Sequence, residues 1–255
     1  MPFAEASWIS AAALAAGFVN AIAGGGSLLS FPALTAIGLP PVVANVTNTV
    51  ALTPGYLGAT LGQRADLAGQ GVRLRLLLPA AVLGGLAGGL LLLHTSASLF
   101  RQLVPWLILL GSTLLALQNP LLQWLRRRSV GGGAAAQPLP QWCAIPPVVA
   151  ASIYGGYFGA GLGVILLAVL ALCLEDSFNR LNGLKQPLAF ATNLVAALLF
   201  GLTGPVQWPV ALLMALAAWL GGALGGRCAS RVDPLLLRRL VVAAGFVIGL
   251  AYLVR

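Results

Sequence analysis

Acidic residues are scarce in this sequence: five Asp and Glu in 255 residues, beside one histidine and three cysteines. Charged residues make up 7% of the chain, against about 25% in soluble domains. Hydrophobic residues make up 59%, and the mean hydropathy is +0.96. A water-soluble globule could not cover that much Leu, Ala, Val and Gly with so little polar surface. An all-α integral membrane protein is expected, with the lipid bilayer as its first partner.

The scarcities also exclude functions. His94 closes an apolar run with no GxSxG motif in the chain, so a nucleophile–base dyad has no members and no catalytic residue is expected. Glu5, Asp66, Glu175, Asp176 and Asp233 lie in loops or at span ends. That leaves neither a mid-span carboxylate proton relay nor a carboxylate or imidazole metal site. Cys143, Cys173 and Cys228 are too far apart for a disulfide framework or zinc spacing. There is no Walker A pattern for ATP hydrolysis. The reading is therefore not an enzyme, with no metal and no cofactor; a coupling ion, H⁺ or Na⁺, is left open. The net charge of +9 sits in arginines between apolar runs, as in loops retained on a cytoplasmic side. No aromatic-interleaved basic patch for nucleic acid is formed. Met1 to Trp8 holds no Lys or Arg and so lacks the n-region of a cleavable signal; the whole chain is read as mature.

Apolar runs of about 20 residues, enough to cross a bilayer, fall near Val42–Gly62, Val72–Leu93, Leu99–Leu117, Gly183–Thr203, Val206–Gly226 and Pro234–Val254. Two longer runs, Ile9–Ile37 and Trp142–Leu174, are broken by Gly24, Gly25 and Gly26 and by Gly159, Gly161 and Gly163. Residues 1–118 are read as a first membrane repeat, 119–141 as a basic, glycine-rich linker and 142–255 as a second repeat. At an offset of 137 residues Gly24 falls on Gly161, Gly26 on Gly163, Asn45 on Asn182, and Gly84, Gly85, Gly88 and Gly89 on Gly221, Gly222, Gly225 and Gly226.

Charge placement suggests how the halves are oriented. In the first half Arg64, Arg73 and Arg75 follow the Val42–Gly62 run and Gly38–Pro41 has no basic residue. In the second half Arg180 and Lys185 lie at the corresponding early position, Thr203–Trp208 has none, and Arg227, Arg231, Arg238 and Arg239 come last. Under the positive-inside rule the halves prefer opposite orientations, as inverted repeats do. A glycine-broken re-entrant or discontinuous helix followed by three transmembrane helices in each half satisfies that. Eight spans in two parallel halves is the alternative topology.

Glycine at 24–26 removes side-chain bulk, and a helix starting at Ser27 would aim unpaired N–H groups and its positive end at the break, an anion-binding arrangement. The competing reading is close helix packing, which is preferred for the GGxxGG stripes. Polar residues in apolar runs are expensive. Asn20, Asn45, Thr47, Asn48 and Thr49 in one half, and Asn182, Lys185, Gln186, Thr192 and Asn193 in the other, are therefore singled out. The only lysine, Lys185, stands where the offset puts Asn48, as a point charge for an anion or as a snorkelling interface residue. The expected substrate site is Asn20, Gly24, Gly25, Gly26, Ser27, Asn45, Asn48, Gly161, Gly163, Asn182, Lys185 and Gln186.

The stretch Gly17 to Ala51, with Asn20, three glycines at 24–26, Pro32, the Gly38-Leu39-Pro40 turn and Ala44-Asn45 before a polar run, resembles the N-terminal signature of the TauE/SafE sulfite and organosulfonate exporters. The glycine-rich second signature, Gly155 to Gly163, and the two-half plan extend the resemblance over the chain. It departs at Val169, which stands where the first half has Pro32, and at Leu184-Lys185-Gln186, which replaces a smaller polar run. The resemblance implies a permease that moves small sulfur-containing or carboxylated anions outward on an ion gradient; the inner (plasma) membrane is its expected place, and a monomer or homodimer its expected state. The alternative is a membrane scaffold whose glycines only pack helices.

Overall fold

The computed structural model describes residues 2–131, 140–229, 231–232 and 234–254. Among them there are ten α-helices and no strand: α1 (Phe3–Ile22), α2 (Ser27–Ala36), α3 (Pro41–Gly62), α4 (Gly71–His94), α5 (Ala97–Gly131), α6 (Ile145–Tyr157), α7 (Leu162–Cys173), α8 (Phe178–Thr203), α9 (Trp208–Cys228) and α10 (Pro234–Val254). Six helices are long and apolar enough to cross a membrane, within α1, α4, α5, α8, α9 and α10. The chain is a multi-pass α-helical membrane protein. α3 has the length, at 22 residues, but its Asn and Thr side chains face the interior and lower its hydropathy. The stretch read as a linker begins as a continuation of α5 to Gly131, and residues 132–139 lie outside the described ones.

Both glycine breaks end helices, as expected. α1 stops at Ile22 because Gly24 and Gly25 take φ of 77° and 94°, and α6 gives way to α7 through Gly159 at 79° and Gly161 at 82°. Side chains other than glycine enter that region at about 1–2 kcal/mol per residue.

The starts of α3, α4 and α5 at Pro41, Gly71 and Ala97 are matched by those of α8, α9 and α10 at Phe178, Trp208 and Pro234, each 137 residues later. The packing exchanges under the same shift. α9 lies on α1 and α3, and α4 lies on α6 and α8, so each half's glycine-striped helix is seated on the other half. A Cβ on Gly221 would strike the Leu14 carbonyl and one on Gly222 the Gly55 carbonyl; Gly84 and Gly88 meet α6 and Gly85 meets the Thr192 carbonyl. The stripes therefore pack helices, as the sequence suggested. α4 turns Leu83, Leu90 and Leu91 outward while burying its glycines, an arrangement suited to lipid.

Contact order along these seams gives helix directions. Gly55, Gly58 and Gly62 meet α9 at Ala218, Trp219 and Ala223 in turn, and Leu14 and Phe18 meet it at Gly221 and Gly225, so α1, α3 and α9 run the same way. α4, α6 and α8 likewise share a direction. α3 and α8 are opposed: Asn182 at the start of α8 bonds Gln63 just past the end of α3, and Gln207 beyond the end of α8 bonds Thr47 near the start of α3. α5 and α10 are also opposed, Gly245 facing Ser112 and Gly249 facing Leu109.

Candidate functional site

The two breaks touch. A Cβ on Gly163 would lie 3.0 Å from the Gly24 Cα, and one on Gly24 2.9 Å from the Val164 nitrogen. Gly161 faces Gly111 of α5 instead. At the first break the Asn20 Oδ1 accepts the Gly26 N–H at 2.6 Å, bringing the last turn of α1 to the first residue before α2. The Gly25 and Ser27 N–H groups, and those of Ala160, Gly161 and Gly163 at the second break, have no acceptor among the described residues. Each break thus exposes donors at the start of a helix, where negative charge is favoured.

α3 and α8 bring the remaining candidates to these breaks, each to the opposite half. Asn45 Nδ2 donates to the carbonyl of Tyr157, the last residue of α6, at 2.9 Å. Asn182 Nδ2 and Gln186 Nε2, one turn apart on α8, donate to the Ala21 carbonyl of α1 at 3.2 and 2.8 Å. Lys185 lies between them in sequence. Its stem passes 3.6 Å from where a Gly163 Cβ would be, and its Nζ donates to the Asn20 carbonyl at 3.5 Å. The side chain is 0% exposed, so it does not snorkel. Among the described residues no carboxylate pairs with it, both ion pairs being made by Asp176. Asn48 is buried and makes no hydrogen bond among the described residues.

Of the other polar residues, Thr49, Thr53 and Asn193 bond back to their own helices, and Thr192 bonds Ser152 of α6 at 3.0 Å. They hold helices, and Asn193 also turns its Oδ1 toward the second break, 4.0 Å from where a Gly159 Cβ would be. Two contributors had no signal in sequence. Gln63 donates to the Ala21 carbonyl at 3.2 Å and accepts from Asn182 at 2.7 Å, and the Tyr154 hydroxyl donates to the Ala160 carbonyl at 2.6 Å. Neither has a counterpart at the offset, since Phe200 and Gly17 stand there. An apolar groove of about 650 Å³ between α1, α2 and α10, lined by Trp8, Pro32 and Ile248, contains none of these residues. No group of three or more His, Cys, Asp or Glu occurs among the described residues.

Outside the spans, Asp176 ties the halves together. It accepts from Arg73 of α4 at 2.5 Å and from Arg180 of α8 at 2.9 Å, and Gln70 holds the Arg180 carbonyl at 2.9 Å. Partial desolvation pushes the Asp176 pKa up, but hydrogen bonds from Arg73, the Ser177 N–H and Arg180, with the Arg180 charge, outweigh it and leave the carboxyl below its usual value.

Touching helix breaks, in which polar groups from opposed helices cross between halves, mark a membrane protein with a central polar site. Residues 9–252 match the model of the family described as Sulfite exporter TauE/SafE. The chain belongs to this family. TauE/SafE relatives include a "Probable membrane transporter protein" of Haemophilus influenzae, 30% identical over 91% of this chain and 88% of its own length. The "Probable membrane transporter protein YfcA" of Escherichia coli is 30% identical over 93% of this chain and 85% of its own. A Sinorhizobium "Probable membrane transporter protein ORF9" is 26% identical over 97% and 92%. No solved structure matches this TauE/SafE chain. Family and relatives together make the protein a membrane transporter.

Proposed function

We propose that this protein is a secondary transporter, not an enzyme, that exports a small anion such as sulfite or an organosulfonate across the inner membrane by alternating access. The observation that carries the reading is Lys185: a fully buried amine at the meeting of two helix breaks, with one long hydrogen bond and no carboxylate partner among the described residues. An unpaired buried ammonium is costly, and a substrate anion removes that cost. The free N–H groups at Gly25, Ser27, Ala160, Gly161 and Gly163 supply directional donors for sulfonate or sulfite oxygens beside the charge.

Inverted repeats account for the depth of this site. α1 and α3 run the same way, so α2 brings the chain back between them, and α7 does so between α6 and α8. α2, with 10 residues, rises about 15 Å, and α7, with 12, about 18 Å. Entering from opposite faces, as the opposed α3 and α8 support, they meet across a hydrocarbon core of about 30 Å. The breaks then fall near the midplane, where rocking of one half against the other exposes them alternately.

The test is thermal unfolding of purified protein with sulfite, taurine, sulfoacetate, sulfate and simple carboxylates. A ligand that binds only the folded state raises its stability. One sulfonate or sulfite should raise the midpoint, and Lys185→Met should abolish the rise while the ligand-free variant still unfolds cooperatively. No rise with any anion, or a rise retained in Lys185→Met, defeats the reading and favours a glycine-packed scaffold.

A further inference from the structure

Among the described residues, four buried side-chain oxygens have no hydrogen-bond partner: Asn45 Oδ1 and Asn48 Oδ1 on α3, and Asn182 Oδ1 and Gln186 Oε1 on α8. An orphaned buried acceptor is destabilising, so four of them, two in each half, need an occupant or a reason. The orientation of three is settled by chemistry. A main-chain carbonyl only accepts, so the Asn45 amide must turn its nitrogen to Tyr157 and its oxygen away. Asn182 and Gln186 are fixed in the same sense by the Ala21 carbonyl. The Asn48 amide is bonded to nothing among the described residues and can present its oxygen.

Asn45 sets its amide at the carbonyl end of α6, and Asn182 and Gln186 set theirs at that of α1, the negative ends of two helices, while Asn48 lies one turn along α3 from Asn45. At the end of α1 the chain supplies its own cation, because the Lys185 ammonium reaches the Asn20 carbonyl. Among the described residues, no cation bonds a carbonyl at the end of α6. The residue 137 positions before Lys185 is Asn48, a neutral amide three residues from Asn45 and on the same face of α3. At this one position the second half carries a tethered cation and the first half a neutral amide.

We infer that α3 and the end of α6 form a site for a monovalent cation, Na⁺, held by Asn45 Oδ1, Asn48 Oδ1 and main-chain carbonyl oxygen at the end of α6. The donor set is entirely neutral oxygen. Ca²⁺ and Mg²⁺ are held with carboxylates, and softer metals select imidazole or thiolate; neither kind of ligand joins this donor set. Bound there, Na⁺ compensates the dipole of α6 as Lys185 compensates that of α1. Its role as the driving ion rests on the transporter reading; the site itself does not.

The experiment compares unfolding of the purified full-length protein in NaCl, KCl and choline chloride at equal ionic strength, without added anion. Na⁺ should raise the midpoint saturably above choline and above K⁺, and Asn45→Ala and Asn48→Ala should lose the difference. Asn48→Lys places a tethered ammonium where the other half has one, so its midpoint should be independent of Na⁺. Asn48→Asp, close in shape and adding charge, should saturate at lower Na⁺ and keeps the test decisive if an alanine variant fails to fold. A midpoint equal in the three salts, equal stabilisation by K⁺, or a Na⁺ response unchanged in Asn48→Lys overturns the inference. Running sulfite and taurine in choline separates the two readings. An anion response without a Na⁺ response removes only the cation site, and a Na⁺ response without any anion response supports the cation site and removes only the anion reading.

Discussion

The two breaks solve one backbone problem with different side chains. At the first, a carboxamide oxygen, Asn20 Oδ1, takes up the Gly26 N–H. At the second, the residue at the Asn20 position is Tyr157, and a phenol, Tyr154, instead steadies the Ala160 carbonyl. The first break has spent one donor, whereas Ala160, Gly161 and Gly163 keep theirs. The Lys185 stem lies against Gly163 while its ammonium reaches the Asn20 carbonyl, so this one side chain spans both breaks. The loops that follow diverge as well. The first break leads to the uncharged Gly38-Leu39-Pro40 turn, while the second leads to Asp176, locked to Arg73 and Arg180; the residue 137 positions before Asp176 is Leu39.

The largest expected contrast is steric. A Cβ on Gly26 would collide with the Ala16 carbonyl, backbone that cannot step aside. Gly26→Ala should therefore yield no monodisperse folded protein by size exclusion. Gly159→Ala meets the Gly155 carbonyl at 3.2 Å, a contact that a shift of a few tenths of an ångström relieves, in addition to its positive φ, at about 1–2 kcal/mol. Equal losses in the two variants would mean that the breaks are not packed differently. Next come the two stays. Asn20→Ala orphans a buried N–H and should cost about 1–3 kcal/mol, whereas Tyr154→Phe removes one hydrogen bond worth about 0.5–1.5 kcal/mol. Thermal unfolding of both, side by side, checks the order.

The smallest effect belongs to the loops. The folded pKa of Asp176 lies below its unfolded value, near 3.9. Its contribution is therefore fully present well above pH 4 and is lost as the pH falls through the folded pKa. Asp176→Asn should lower stability at pH 7 by about 1 kcal/mol or less and should flatten the fall of the midpoint below about pH 4. A wild-type acid profile unchanged in the variant would detach Asp176 from the junction.

What the sequence disclosed follows from range. Gly24, Gly25, Gly159 and Gly161 announced the breaks because their φ requirement is local, and the 137-residue offset paired Gly24 with Gly161 and Asn45 with Asn182 before any contact was known; the helix starts follow the same offset. Gln63 and Tyr154 were invisible because their work is to meet Ala21 and Ala160 across the fold or around a turn, and no periodicity or counterpart marks them. The glycine stripes spoke of close packing without naming the partner, and the partner is the other half. Lys185, counted with the early loop by charge, is an interior residue because α8 begins at Phe178 and carries it inward. Its environment is made by α1 and α7, which lie elsewhere in the chain.

The exchange of glycine-striped helices between halves has a consequence during synthesis. α1 and α3 are finished at Gly62, but α9, the helix they are built to hold, does not begin until Trp208. At roughly 5–20 residues per second of translation, the nascent first half waits about 7–30 s with its small-residue grooves turned to lipid or to the insertion machinery. Neither half can mature alone, so assembly is a closing step at the end of translation, and premature release of the chain leaves both grooves open to the wrong helix.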